Sequence, residues 1–183
     1  MVAFFSGLCR QAGLPCEVEP RDFQTYKCQV CARSFKTLAD HPASCRGNPL
    51  RSGPDLAISW PTGDIFYDYT TVHEMSPSNV GTAVTTLAAQ KVEQKVRKYT
   101  GTTANPGPLT VDNFVPLPAY SLGGLHKNTR ALLADLAAVM GVSPFALFAD
   151  FGSTLQQAQA ATLCRLFPRR RPAQPQPVQA AAT

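Results

Sequence analysis

Acidic residues are scarce in this chain: 12 Asp and Glu face 17 Lys and Arg over 183 residues, a formal charge of +5. That balance argues against cationic partners and toward nucleic acid or an anionic membrane surface. Arg169, Arg170 and Arg171 carry three of the charges in a tail, so the body is only mildly basic. Apolar runs of membrane-spanning length are missing too, and the apolar stretch from Met1 to Leu8 soon meets Arg10, which argues against a membrane partner and fits an ordinary amphipathic helix. No internal repeat is present, so a stacked-repeat architecture is not expected. Six cysteines in this length do not make a secreted disulfide scaffold, and three of them share a window with a histidine. A reducing, intracellular setting and metal binding are therefore expected. Cys9, Cys16 and Cys164 read as buried apolar residues. What is present is 44% hydrophobic residues at a mean hydropathy of -0.10, enough for one core with a small appendage.

Along the chain, Val2 to Ala12 reads as a short amphipathic helix closed by Gly13, and Pro15 to Glu19 as a brief strand. Asp55 to Trp60 and Asp64 to His73 read as strands joined by the turn formers Pro61, Thr62 and Gly63. After Ser76-Pro77-Ser78-Asn79, which has capping character, Val80 to Tyr99 carries helical periodicity until Gly101. Thr110 to Leu117 reads as a further strand. Two helices follow, about Leu125 to Met140 and Ser143 to Phe167, the first ended by Gly141 and the second with Pro144 near its start. Their Leu132, Leu133, Leu136, Val139, Phe145, Leu147, Phe148, Phe151, Leu155 and Leu163 are expected to pack on the sheet or on each other, a dimer seam being the alternative. The Pro, Gln, Ala and Arg composition of residues 168–183 predicts disorder. The order of elements predicts an α/β fold with a mixed sheet flanked by helices.

Between the first strand and the hairpin lies Cys28-x2-Cys31-x9-His41-x3-Cys45. Two thiolates from a tight turn and a distal His/Cys pair, at a spacing that suits one helical turn, can close a tetrahedron around zinc. Phe35 and Leu38 stand where such a unit keeps its few core residues, and a unit this small folds poorly without its ion. Lys27, Arg33, Lys36 and Arg46 surround it, either as phosphate contacts or as a solvated basic surface.

The second constellation begins at Pro54-Asp55. Phosphodiester hydrolysis uses a divalent ion to polarise the phosphoryl oxygen and lower the pKa of water, and hard Mg2+ takes oxygen ligands. Asp55 opens the hairpin, while Asp68 lies mid-strand among Ile65, Tyr67, Tyr69 and Thr71, where an idle charge would be costly. Alternation puts Asp68, Thr70 and Val72 on one face. Thr70 stands two residues after the acid, where nucleases of this type commonly bear a lysine. The next helix offers replacements: at ~100° per residue, Lys91, Lys95 and Lys98 fall within about 60° of one another, beside Val84, Leu87, Ala88 and Tyr99. They either snorkel along the sheet edge to water or place an ammonium against the acids. Glu19 is a further acid for the site or a surface glutamate; Arg51 is a phosphate contact or an exposed loop residue; His73 is a strand-end residue or a base.

Together these residues resemble the restriction-like endonuclease domain, of PD-(D/E)xK type, found with a CCHC zinc knuckle in site-specific non-LTR retrotransposons. The resemblance spans roughly Val2 to Leu136 and rests on Cys28, Cys31, His41 and Cys45, then Pro54-Asp55, then Asp68, then Lys91, Lys95 or Lys98 ahead of Tyr99. It implies a first helix and strand of the nuclease core over 1–25, a knuckle over 26–48 and the nuclease core over 49–122, ahead of the C-terminal helices over 123–167 and the disordered tail over 168–183 that pattern and composition predict. It implies a Mg2+-dependent nick that leaves a 3′-hydroxyl, with Asp55, Asp68 and the Tyr69 main-chain carbonyl as ligands and Lys95 or Lys91 as the catalytic amine. Zinc would be structural, and Arg51, Lys36, Arg46 and Lys98 would meet nucleic acid, DNA first and the RNA of the element second. A nuclear location follows from the same resemblance. The alternative is a catalytically inactive zinc-knuckle nucleic-acid-binding protein on a nuclease-like scaffold; a third reading makes the knuckle a protein-interaction element.

Overall fold

A computed structural model describes residues 1–47, 49–101 and 107–166, without the side chains of Leu50, Arg51 and 163–166. The tail with Arg169, Arg170 and Arg171, and the Cys164 and Leu163 side chains, lie outside that description.

Four strands form the main sheet: β1 (Cys16–Val18), β5 (Leu56–Trp60), β6 (Gly63–Val72) and β7 (Phe114–Tyr120), in that spatial order. β1 to β5 and β5 to β6 are antiparallel, while β6 and β7 are parallel and joined through helix α2 (Val84–Thr100). The expected mixed sheet flanked by helices is therefore present. Between β1 and β5 the chain makes a second sheet from β2 (Thr25–Lys27), β3 (Ser34–Phe35) and β4 (Leu50–Ser52), in the order β3, β2, β4. The sheet of the Cys/His segment thus takes in β4, and only Gly53 and Pro54 separate β4 from Asp55.

Alternation along β6 sorts its side chains between two cores. Ile65, Tyr67 and Tyr69 face the larger core, built with α1 (Val2–Gln11), α3 (Lys127–Met140) and α4 (Pro144–Leu166). There Phe5, Leu8 and Cys9 of α1 recur at helical spacing, and Phe151 of α4 meets the Phe4 and Phe5 rings at 5.5 and 5.4 Å. Leu132, Leu133, Leu136, Leu147, Phe151 and Leu155 are buried, so the C-terminal helices do pack inward; Phe145 and Val139 are exposed. Phe66, Asp68 and Val72 point the other way, under α2. Phe66 joins Tyr99, Leu109 and Phe114 in one cluster, and Val72 joins Leu87 and Ala88 in another.

Edge strand β7 contains Pro116 and Pro118, which cannot donate to a ladder. Their carbonyls accept from Asn128 Nδ2 at 3.0 Å and Thr129 Oγ1 at 2.7 Å. In an extended strand a residue's N–H and C=O project to the same side, so the missing donors face the open edge and α3 covers it. A bare edge would template further pairing.

Three sequence expectations shift. α2 starts at Val84 rather than Val80, because Asn79 and Thr82 close successive turns onto Ser76 and Asn79, and Gly81 adopts φ +85°. β7 starts at Phe114 rather than Thr110, because the Asn113 side chain accepts the Thr110 N–H at 2.8 Å and holds a turn there. His41 to Cys45 is not a helical turn. Pro42 disfavours helical geometry at His41, which sits at φ -72°, ψ 128°, and Cys45 closes a turn onto the Pro42 carbonyl.

Candidate functional site

Leu56 pairs with Tyr67 at the last rung of the β5 and β6 ladder. One step beyond, Asp55 leaves regular pairing: its N–H donates to the Tyr67 carbonyl at 2.8 Å, and its Oδ2 accepts the Tyr69 N–H at 2.7 Å. The carboxylate has taken the place of a main-chain acceptor, which fixes it beside Asp68. Because Tyr69 directs its N–H toward Asp55, its carbonyl projects to the same side. Glu19 closes the row from β1, its N–H donating to the Asp55 carbonyl at 2.8 Å. Glu19 holds a φ of +52°, a left-handed geometry uncommon for a residue with a Cβ.

Asp68 is only 3% exposed. Its Oδ2 forms an ion pair with Lys95, and no other donor reaches that oxygen among the described residues. The Tyr99 hydroxyl lies 3.1 Å from Oδ1 and 2.7 Å from the Gly53 carbonyl, and it accepts from Lys98 Nζ at 3.0 Å. With one proton to give, the hydroxyl serves one of the two oxygens at a time. Burial, then the Asp68 charge, pushes the Tyr99 phenol well above its ordinary value, so it remains a donor. Burial, reinforced by Asp68, likewise raises Asp55, while the Tyr69 N–H and Lys95 pull it down. Lys98 is lowered, first by burial and then by the Lys95 charge. Two acids and two ammonium groups therefore cluster beneath α2, with Tyr99 tying them through the Gly53 carbonyl to the segment that presents Asp55.

The helix lysines separate by position. Lys95, seven and eight residues after Ala88 and Leu87, lies above Asp68. Lys91 is exposed, bonds the Gln94 side chain at 3.4 Å and lines a different hollow with Val72, His73 and Leu87, away from the acids. Lys98, expected to meet nucleic acid, stands on Tyr99, its ammonium 4.5 Å from the ring centroid. His73 is exposed, its carbonyl accepting Asn79 Nδ2 at 2.7 Å. Arg51 pairs through its backbone with Tyr26. Arg46 and Lys36 are exposed on the metal-binding unit. Gly53 is the site member that residue patterns did not single out; Tyr99 was named as the stripe residue that follows the lysines, but not as a partner of Asp68.

The cysteine and histidine set comes together as its spacing predicts. Cys28, Cys31, His41 and Cys45 present ligand atoms that all lie within 4.8 Å of one another. Cys28 and Cys45 sulfurs are 3.7 Å apart, and Cys31 Sγ is 3.8 Å from His41 Nε2. The Phe35 ring packs edge-on against His41 at 5.3 Å, fixing the imidazole. The Cys31 main-chain N–H, with the His41 side chain, brings the Cys28 thiol down to about 6, favouring the thiolate that metals bind. Ala32 takes φ +55° as the chain leaves Cys31. This group can coordinate a metal ion as a structural centre. Gln24 Nε2 donates to the Pro54 carbonyl at 3.1 Å, so the metal-binding unit is clamped to the segment that presents Asp55. Among the described residues no helix is long and apolar enough to cross a membrane. No family model matches the chain, and neither does any curated protein or solved structure.

Proposed function

We propose that this chain is a Mg2+-dependent DNA endonuclease of the restriction-like type, with zinc as the structural ion of its knuckle. The observation that carries the reading is the meeting of Asp55, Asp68 and the Lys95 ammonium on one face of the sheet. Helix α2 aims a cation at the acid in the role that Thr70, two residues beyond Asp68, cannot fill.

Asp55, Asp68 and the Tyr69 carbonyl are hard oxygen donors and would hold Mg2+. When bound, the ion polarises a phosphoryl oxygen and lowers the pKa of water. Lys95 faces the non-bridging oxygens and orients the attacking water, whose oxygen bonds phosphorus as the bond to the 3′ oxygen breaks. The products are a 3′-hydroxyl and a 5′-phosphate. Zinc suits the knuckle on distances: tetrahedral bonds of about 2.3 Å put two sulfurs roughly 3.8 Å apart, against the 3.7 Å between Cys28 and Cys45. Retrotransposon descent and nuclear action belong to this reading, with DNA as substrate.

A second reading draws on the same contacts. Asp68 has Lys95 at one oxygen and Tyr99 at the other, as in an inert scaffold whose knuckle alone binds nucleic acid. Plasmid nicking separates the two. Purified protein with Mg2+ is expected to relax supercoiled DNA, EDTA to stop it, and Asp68→Ala to abolish it. Equal nicking by wild type and Asp68→Ala, or DNA binding with no turnover under any divalent ion, would leave the scaffold reading standing.

A further inference from the structure

A hollow lies not at the acids but beside them. A cleft of about 580 Å³ opens between the end of β1 and the knuckle, lined among others by Glu19, Arg21, Tyr26, Lys36 and Leu38. It touches the acid row at Glu19, whose main chain is bonded to Asp55, and runs outward to Lys36 on the knuckle. Its volume lies within the range that small-ligand sites occupy.

We infer that this cleft binds one unpaired nucleotide of a polynucleotide strand next to the scissile phosphate, with Tyr26 as the stacking platform and Arg21 and Lys36 as phosphate contacts. The inference rests on the nuclease reading for its place along the strand, though not for the binding itself. Arg21 and Lys36 are exposed and both line the cleft, one on the turn after β1 and the other after β3. Tyr26 is half-buried on β2, its backbone paired with Phe35 on one side and Arg51 on the other, so the ladder fixes where it enters the cleft. Leu38 adds an apolar surface, 55% exposed. A cationic groove with a ring on which a base can lie is how single strands are held without sequence readout. Glu19, whose N–H is bonded to the Asp55 carbonyl, marks the end of the cleft nearest the acids.

The test measures binding apart from cleavage. The zinc-loaded protein is titrated in EDTA-free buffer without Mg2+ into labelled oligo(dU), oligo(U) and a blunt duplex, by fluorescence anisotropy. Three variants are compared: Tyr26→Leu, Tyr26→Phe, and Arg21→Gln with Lys36→Gln. The expected result is a loss on the order of tenfold or more in single-strand affinity for Tyr26→Leu, with Tyr26→Phe close to wild type. The double variant should weaken single-strand binding and lower its salt slope by about 0.7 per lost phosphate contact, with duplex affinity changed less than about twofold. The tighter of the two oligonucleotides identifies the sugar. Single-strand affinity unchanged in Tyr26→Leu and in the double variant would overturn the inference, as would an equal loss for the duplex. Folding of each variant is checked by zinc content and circular dichroism. If Tyr26→Leu loses its zinc, the double variant and Tyr26→Phe still decide. Nicking is scored separately: cleft variants that lose binding in a protein that never nicks would keep the cleft and remove the nuclease, whereas an active nuclease with indifferent cleft variants would do the reverse.

Discussion

Replacing Lys95 by methionine isolates the ion pair on which the site is built, because methionine retains most of the stem's volume and removes the charge. The Asp68 side chain is 4% exposed and that of Lys95 22%. Breaking a buried pair by removing one partner costs about 3–5 kcal/mol, since the charge left behind is uncompensated. Two features lower that figure here: the Tyr99 hydroxyl remains 3.1 Å from Oδ1, and the Lys95 side chain is itself partly exposed, so the site lies near solvent. The expected cost is about 2–3 kcal/mol, or roughly 4–12 °C in Tm at about 2–4 °C per kcal/mol for a chain of this size. Asp68→Asn should cost less, near 1 kcal/mol, because a stranded lysine can swing its ammonium into water. Combining the two removes both charges, so the double variant should recover part of the loss, with a coupling of about 1.5 kcal/mol or more. Urea melts of the four proteins measure this cycle. Additive single effects, or a Lys95→Met protein within about 0.5 kcal/mol of wild type, would refute the placement of this ammonium on Asp68.

Other consequences follow from the same contacts. Asp55 is raised in the folded protein by burial first and Asp68 second, so its protonated form contributes stability that is full below the unfolded value of about 3.9 and is lost as pH rises through the folded value. Asp55→Asn keeps an oxygen for the Tyr69 N–H and removes this loss, so the variant should become progressively more stable than wild type as pH rises from 4 to 8. Urea midpoints across that range check it, and a difference that shrinks with pH would contradict it. Gly53→Ala places a Cβ against the buried Gln24 side chain that holds Pro54; overpacking of this kind costs about 1–3 kcal/mol, and nicking should fall with stability, read by thermal melts and plasmid assay together. Ala32→Gly relieves a left-handed geometry and should raise the thermal midpoint by the equivalent of about 1 kcal/mol; an unchanged or lower midpoint would place the strain elsewhere. Cys31→Ser should drop metal content below one zinc per chain by mass spectrometry and loosen the Gly53 to Asp55 segment, seen as faster amide exchange at Asp55 and Tyr69.

Local pattern made much of the architecture legible. Alternation along β6 placed Asp68 on the face of Val72, and the period of α2 put Lys95 beside Leu87 and Ala88; the structure has both arrangements. Cysteine and histidine spacing was enough to bring Cys28, Cys31, His41 and Cys45 together. What was not legible depended on groups far apart in sequence. Helical angle alone puts Lys91 and Lys95 on one stripe, and only the height at which α2 crosses the sheet sends the first to Gln94 and the second to Asp68. Tyr99 meets Gly53, 46 residues away, a contact no local period announces. The late start of α2 came from a positive φ at Gly81, and the prolines of β7 fit because α3 covers the strand's outer side. The Pro42 effect on His41, by contrast, was open to local reasoning.

Single-turnover nicking of supercoiled plasmid by Lys95→Ala, Lys91→Ala and Lys98→Ala, at saturating protein and with DNA affinity measured alongside, puts the central claim to its most direct test. The account predicts a Lys95→Ala rate down by at least about a hundredfold, the scale on which a preorganised charge acts on a transition state, at unchanged affinity, with Lys91→Ala near wild type. A Lys95→Ala protein that nicks as fast as wild type, or one whose loss is matched by weaker DNA binding, would contradict it.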